Sequence, residues 1–230
     1  MFFDPLYMAV MIIGFALAGG ASLWTRTAVK KWSRVPTSRG QTGAQVARAI
    51  LDAEGVSGVR VEQVDGFLSD HYNPRERVLR LSPDIYGGTS VAAAGIAAHE
   101  VGHALQDAQG YLPMRLRQRL VPVANIGTNL GIWIMIGGMV IGATGIAKLG
   151  VALFGAFVLF TLVTLPVELD ASLRARKTLE RFQLLSGPEL GGVSRVLTAA
   201  AATYLAAAVT AILQLFYWMF RLGLLGGSRD

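Results

Sequence analysis

Long apolar runs alternate with polar stretches along the chain, and this pattern predicts most of its architecture. A run of about 20 apolar residues can cross a bilayer as a helix, and the chain has four such runs: 6–24, 121–142, 146–167 and 197–222. Only a short loop around Lys148 is expected between the second and the third. The fourth run is rich in alanine, so a buried helix is the alternative interpretation, although Tyr217 and Trp218 suit interfacial anchors.

The first run admits two interpretations. The sequence Ala16-Leu17-Ala18 resembles a signal-peptidase site, which would make the run a cleaved signal. A secretory signal, however, carries positive charge at its front, whereas the first basic residue here is Arg26. The pattern therefore favours an uncleaved membrane anchor.

One polar stretch, residues 26–120, is long enough to fold as a domain. Residues 43–53 show the i, i+3, i+4 spacing of an amphipathic helix. Alternating residues and turn signals predict three short strands: 59–63, 66–72 and 77–81. A helix of small residues follows, with Thr89 or Ser90 as its N-cap and Gly110 positioned to stop it.

That helix carries the motif H-E-x-x-H as His99-Glu100-Val101-Gly102-His103. Residues four apart share a helix face, so His99 and His103 can direct their imidazoles at one ion. Glu100 lies about 100° round the helix and can reach a water held by that ion. An accidental pair of core histidines is the alternative, but the small flanking residues give no reason to bury them.

Composition supports a membrane protein and restricts the ligands of a metal. Hydrophobic residues make up 53% of the 230 residues and charged residues 16%. Cysteine is absent, so a metal must be held by His, Asp or Glu. The net charge of +6 raises nucleic acid as a partner, but the basic residues flank apolar runs, and no nucleic-acid binding is expected.

The distribution of basic residues predicts the orientation. Lysine and arginine number 13 in residues 25–122, 5 in residues 169–202 and 3 elsewhere. Four crossings with both rich segments inside place the polar domain in the cytoplasm. The predicted segments are an anchor (1–25), a cytoplasmic domain (26–120), two transmembrane helices (121–168), a cytoplasmic segment (169–196), and a fourth transmembrane helix with a tail (197–230).

A catalytic zinc keeps three protein ligands and one open position, so a third ligand is needed from His71, Asp107, Glu168 or Asp170. Asp107 lies one turn beyond His103 and is expected to orient a histidine instead. Glu168 is favoured because it stands where the third apolar run meets its basic flank, where a carboxylate is costly without a function or a basic partner. Asp170 would point nearly the opposite way and is expected to hydrogen-bond a histidine.

Together with H-E-V-G-H, the segments 70–74 (D-H-Y-N-P) and 167–172 (V-E-L-D-A-S) resemble the YugP-type family of bacterial membrane zinc metallopeptidases over most of the chain. A more distant similarity links the chain to HtpX- and Ste24-type membrane gluzincins. The resemblance implies Zn²⁺ held by three ligands beside one general base: His99, His103 and Glu168, with Glu100 as the base. Those distant relatives carry an aspartate where this chain has Ser172, which leaves the role of Asp170 open.

These features predict a mainly α polytopic membrane protein with about four transmembrane helices and a small α/β zincin-like cytoplasmic domain. The predicted activity is that of a zinc-dependent metalloendopeptidase of the bacterial cytoplasmic (inner) membrane, with Glu100 as general base at the cytoplasmic face. His71 and Tyr72 are candidate oxyanion donors, although a structural His-Tyr pair fits equally well.

The expected partners are peptide or protein substrates, including membrane proteins, and the lipid bilayer; the sequence does not indicate an oligomeric state. Two other function classes remain open. The same motif would serve a zinc-dependent hydrolase of lipids or amides, and a catalytically silent scaffold would need only the apolar helices. Proteolysis within the membrane fits less well, because the motif helix lacks the unbroken apolar run of a span.

Overall fold

A computed structural model of the protein describes residues 4–66 and 69–225. The described residues are mainly helical with one small sheet, as the sequence predicts. The helices are α1 (Pro5–Trp32), α2 (Gly43–Ala53), α3 (Pro83–Tyr86), α4 (Val91–Ala108), α5 (Leu112–Ile126), α6 (Ile132–Val140), α7 (Thr144–Arg181) and α8 (Gly187–Arg221). The strands are β1 (Arg60–Gln63), β2 (His71–Asn73) and β3 (Val78–Leu81), and a π-helical turn, Gly127–Gly131, joins α5 to α6.

Within the described ranges, four helical stretches are long and apolar enough to cross a membrane: α1, α5 through α6, α7 and α8. This finding confirms the four predicted spans at the level of length and composition. The prediction of a loop around Lys148 was wrong, because Lys148 lies inside α7. The chain turns instead at Gly142, whose φ of 71° suits a residue without a side chain.

One compact unit contains residues 21–114 and 166–202, and it includes the predicted metal helix. Its apolar core is formed by side chains from α2, the sheet, α4 and the parts of α7 and α8 that belong to this unit. Fully buried members are Ile50, Leu79, Val101, Leu179 and Val193. The two long helices therefore contribute to the same core as the polar domain that precedes them in sequence.

The sheet has the order β1-β3-β2, with β1 parallel and β2 antiparallel to β3. The predicted strand 66–72 is shorter than expected, since β2 begins at His71. Gly66 adopts a φ of 113°, and the Ser69 hydroxyl donates to the carbonyl oxygens of Asp65 and Gly66, so this part of the chain turns. Residues 67 and 68 of the predicted strand lie outside the described residues.

Helix α4 has the boundaries that its capping residues dictate. The Ser90 hydroxyl accepts a hydrogen bond from the Ala93 amide at 3.1 Å, which identifies Ser90 as the N-cap. At the other end Gly110 adopts a φ of 65°, as a glycine just beyond a helix commonly does. The helix between them is almost entirely buried, because its many alanines and glycines allow neighbouring elements to approach closely.

The other compact unit falls within residues 1–20, 115–165 and 203–230. Tyr217 and Trp218, which the sequence suggests as interfacial anchors, are both buried in the core of this unit, and their level in a membrane stays a prediction. They pack against the ring of Tyr7, and the Tyr217 hydroxyl donates to the Asp4 carboxylate at 3.1 Å. Their packing therefore stabilises the helices against one another.

Candidate metal centre

Helix α4 presents the two histidines of the motif side by side. The ring centroids of His99 and His103 are 4.8 Å apart, and their planes are almost perpendicular. His103 is buried and His99 is largely so. This is the arrangement expected for residues four apart on one face of a helix.

Glu168 on α7 completes the cluster. Its Oε2 atom lies 3.2 Å from His99 Nε2 and 3.5 Å from His103 Nε2. The residue is 2% exposed. Of the predicted third ligands (His71, Asp107, Glu168 and Asp170), only Glu168 belongs to a cluster with the two histidines in the described residues.

The distances from Glu168 Oε2 to the two histidine nitrogens fit a tetrahedral zinc ion. Zinc bonds to histidine nitrogen and carboxylate oxygen at about 2.0–2.2 Å, which places neighbouring ligand atoms roughly 3.3–3.6 Å apart. The two nitrogen–oxygen distances of 3.2 and 3.5 Å agree with that geometry. Two imidazoles and one carboxylate are also the ligand set of several catalytic zinc sites.

Glu100 lies beside this cluster on α4. The residue is 9% exposed, and within the described residues no hydrogen bond or ion pair is found for its side chain. Burial opposes protonation of His103, but the hydrogen bond with Glu168 and the charge of Glu100 raise the pKa of His103 above its ordinary value. The charge of Glu100 is therefore close enough to act on the groups at the site.

Gln106, which the sequence analysis did not identify, connects the site to α7. Its side chain is fully buried. Its Nε2 donates to the Val167 carbonyl oxygen at 2.8 Å and to Asp170 Oδ2 at 2.8 Å. Its Oε1 lies 3.0 Å from Nδ1 of His103.

These contacts determine which nitrogen of His103 carries the proton. Both partners of the Gln106 amide nitrogen are acceptors, so the nitrogen must face them and the amide oxygen must face the ring. His103 Nδ1 then donates its proton to Gln106, so in the neutral ring Nε2, which faces Glu168, is the nitrogen available to a metal. Hydrogen bonds of this kind hold ligating histidines in the correct tautomer and orientation.

Ser172 orients the other histidine, His99, in a similar way. Its hydroxyl oxygen lies 3.2 Å from His99 Nδ1 and can accept the proton of that nitrogen. The prediction that Asp170 hydrogen-bonds a histidine was wrong. Asp170 accepts from Gln106 and, at 2.5 Å, from the Arg174 side chain, because it projects from α7 on a different side from Glu168.

Asp107 was also expected to orient a histidine, but in the structure its carboxylate binds the Tyr72 hydroxyl. Its Oδ2 accepts a hydrogen bond from the Tyr72 hydroxyl at 2.9 Å, which joins β2 to the last turn of α4. Tyr72 is half-buried, and burial together with the carboxylate of Asp107 raises the pKa of the phenol above its usual range. Tyr72 therefore keeps its proton and shares it with Asp107.

His71 is exposed at the start of β2, and its Nδ1 lies 2.8 Å from the Ser69 carbonyl oxygen. Because a carbonyl only accepts, Nδ1 carries the proton, and the neutral ring presents a lone pair at Nε2. His71 can thus donate to an oxyanion from Nε2 only as an imidazolium. No hydrogen bond or ion pair with the three clustered ligands is found for His71 or Tyr72 in the described residues, and their catalytic roles stay predictions.

Comparison with known proteins agrees with the geometry. Residues 7–223 match the model of a family described as “Putative neutral zinc metallopeptidase”. The chain is 44% identical over 200 residues to a protein of Bacillus subtilis (strain 168) named “Putative membrane protease YugP”, an alignment that covers 85% of this chain and 89% of the relative. No solved structure matches the chain significantly.

Proposed function

The chain belongs to the family described as “Putative neutral zinc metallopeptidase”, and on that premise we propose that it is a zinc-dependent endopeptidase of the bacterial cytoplasmic membrane. The observation that carries this proposal is the convergence of His99 Nε2 and His103 Nε2 on one oxygen of Glu168, beside the carboxylate of Glu100. Neither a scaffold nor an assembly subunit would need this arrangement of buried ionisable groups.

The reaction is hydrolysis of a peptide bond. A bound zinc ion would supply Lewis acidity, which acidifies water and polarises the substrate carbonyl. Glu100 accepts a proton from the attacking water as the carbon–oxygen bond forms, and it delivers that proton to the amine nitrogen as the carbon–nitrogen bond breaks. His99, His103 and Glu168 are the proposed ligands of the metal.

The sheet offers a place for the substrate main chain. Strand β2 lies at an edge of the three described strands and contacts α4. An extended peptide can pair with such an edge through main-chain hydrogen bonds, which gives affinity without strong side-chain selection. We propose that β2 binds the substrate in this way and that its position beside α4 brings the peptide to the site.

The orientation of the site follows from the positive-inside rule. His99, His103 and Glu100 lie in the first of the two segments rich in lysine and arginine, 25–122, and Glu168 directly precedes the second, 169–202. We therefore propose that the protein cleaves cytoplasmic or membrane-associated polypeptides at the cytoplasmic face of the membrane.

The test uses the full-length protein purified in detergent, loaded with zinc and incubated with an unfolded protein substrate. Glu100→Gln removes the base but leaves the three ligands, so cleavage should fall by roughly 10²–10⁴-fold while the zinc content stays at the wild-type value. Glu180→Gln on the exposed side of α7 is the matched control and should cleave normally. Full turnover by zinc-loaded Glu100→Gln protein would contradict the mechanism.

The same preparations distinguish the activity from its alternatives. Wild-type protein with stoichiometric zinc that cleaves phospholipids or small amides but no polypeptide would contradict the peptidase proposal and support a different zinc hydrolase. Protein that binds no zinc, even when zinc is supplied in excess, would overturn the metal site itself.

A further inference from the structure

A groove between α1 and α8 lies apart from the metal ligands, and the proposed peptidase activity makes no use of it. The groove has a volume of about 350 Å³. Its walls combine exposed tryptophan, small and hydroxyl side chains, and two cations; the lining residues are Trp24, Thr27, Ala28, Lys31, Trp32, Ser194, Arg195 and Thr198. All of them belong to the compact unit that contains the metal centre.

Trp32 lines the groove at the end where Lys31 and Arg195 lie. Its ring packs over Gly192 of α8, where a Cβ atom would lie 2.5 Å from a ring carbon. Only a residue without a side chain permits this approach. The position of the indole is thus fixed by the packing of the two helices.

Two cations lie over this one indole. Lys31 Nζ is 5.6 Å and Arg195 Cζ is 5.8 Å from the ring centroid. Within residues 4–66 and 69–225 no carboxylate forms an ion pair with either of them. Two like charges held beside the same aromatic ring repel each other, and a bound anion would relieve that repulsion.

The groove sits where the apolar runs of both helices end. The apolar run of α1 reaches Trp24 and is followed by basic residues, while the apolar run of α8 begins near Leu197. A ligand in the groove therefore has apolar wall on one side and positive charge on the other. Tryptophan and basic residues with this distribution are typical of the level of lipid headgroups.

We propose that this groove binds one anionic glycerophospholipid. Its phosphate lies between Lys31 and Arg195, and an acyl chain follows the apolar wall past Ala28 towards Trp24. A free phosphate ion would satisfy the cations but leave the apolar wall uncovered. A zwitterionic lipid would bring its own cation to a site that already holds two. The charge and the apolar surface together favour the anionic lipid.

The experiment measures lipid retained by the full-length protein in non-ionic detergent. Dioleoyl-phosphatidylglycerol or dioleoyl-phosphatidylcholine is added, bound lipid is counted by native mass spectrometry, and the midpoint of thermal unfolding is recorded. Wild-type protein should retain one phosphatidylglycerol and unfold at a higher temperature with it than with phosphatidylcholine. Loss of one cation should weaken retention by roughly fivefold.

Three variants separate a built site from general attraction. The double variant Lys31→Gln with Arg195→Gln should lose the retained lipid. Thr27→Trp, which fills the groove but keeps both charges, should lose it too. The control, Arg26→Gln with Lys30→Gln, removes two exposed charges of α1 that do not line the groove and should keep the lipid.

Equal retention by all the variants, or equal loss in the control and in the groove variants, would overturn the proposal. Protection by inorganic phosphate as strong as that by phosphatidylglycerol would also overturn it, because the site would then take a phosphate ion and not a lipid. Each variant is first compared with wild-type protein in lipid-free detergent, so that a folding defect is recognised by its unfolding temperature.

Discussion

Gly102 of α4 lies directly against the backbone of Ala171 in α7: a Cβ atom at position 102 would be 2.5 Å from the Ala171 carbonyl oxygen and 3.1 Å from its Cα. The contact falls between the two histidines on one helix and three residues beyond Glu168 on the other. The two helices thus approach each other closely at the level of the metal centre. The glycine inside the motif allows Glu168 to reach both imidazoles.

Gly102→Ala should therefore weaken metal binding without changing any ligand. The added methyl group must push α7 away, and overpacking of this kind costs about 1–3 kcal/mol. We expect a lower unfolding temperature and at least a tenfold weaker affinity for zinc, measured by competition with a chelating dye. Gly191→Ala in α8, where a Cβ would meet no atom within 4 Å, is the control. Wild-type zinc affinity in the Gly102 variant would show that the helix spacing does not limit the site.

Gln106 should control zinc affinity through the orientation of His103. Gln106→Met keeps the volume of the side chain but removes the acceptor for His103 Nδ1 and both donors to α7. Loss of such a partner typically costs 10–100-fold in metal affinity, and that loss should appear in a zinc titration. The control is Gln109→Met at the C-cap of the same helix, which removes a hydrogen bond from Arg174 but none to a histidine.

A purely structural role for Gln106 gives a different result. The Gln106→Met protein would then unfold at a lower temperature but bind zinc with the wild-type affinity at temperatures where it is folded. Equal zinc affinity in Gln106→Met and Gln109→Met would rule out the orienting role.

The three proposed metal ligands could be predicted because each differs from what its own stretch of sequence would otherwise contain. His99 and His103 repeat at the helical period, and Glu168 is a carboxylate at the end of an apolar run, so each carries its own signal in the sequence. The caps of α4 are equally local. Glycine and serine at these positions satisfy the helix ends with groups only a few residues away.

The groups that orient the ligands could not be predicted in the same way. Gln106 has its partners on α7, some 60 positions later in the chain, and a glutamine on a helix of small residues is also common at a surface. The only available signal was its place three residues after His103. Asp107 was linked to a histidine because it follows His103 in sequence, and Asp170 because it is close to Glu168, but the real partners depend on how α7 and β2 pack against α4.

The hydrogen bond from Tyr72 to Asp107 predicts a pH dependence of stability. The pKa of Tyr72 is raised in the folded protein, mainly by burial and then by Asp107, whereas the unfolded phenol ionises near pH 10. The folded state therefore holds this proton more tightly, so its stabilising contribution is complete below about pH 10 and falls as the pH rises further.

Tyr72→Phe tests this relation. The variant should unfold at a lower temperature than wild-type protein at pH 8, and the difference should shrink between about pH 10 and 11.5. Removal of one such hydrogen bond costs about 1 kcal/mol, while kcat should change by less than about threefold, because the phenolic proton is engaged with Asp107. A fall in kcat of a hundredfold at unchanged KM would instead assign Tyr72 to the oxyanion.

Metal binding and folding should be linked through Glu168. A ligand that binds only the folded state stabilises it by about 2.7 kcal/mol at a free concentration of 100 times its Kd. Addition of zinc to metal-free protein should therefore raise the unfolding temperature by several degrees, and a chelator should reverse the shift.

Glu168→Gln tests whether this stabilisation passes through the proposed third ligand. The amide keeps the size of the side chain, but it lacks the charge that pairs with the metal, so the variant should retain little zinc and show almost no zinc-dependent shift. Glu180→Gln, twelve positions later on the same helix and exposed, should keep both the zinc and the shift. Stoichiometric zinc and an unchanged shift in Glu168→Gln protein would place the third ligand elsewhere. Because the variants differ from wild-type protein by the same chemical change, a result that separates them depends on position and not on the loss of one negative charge.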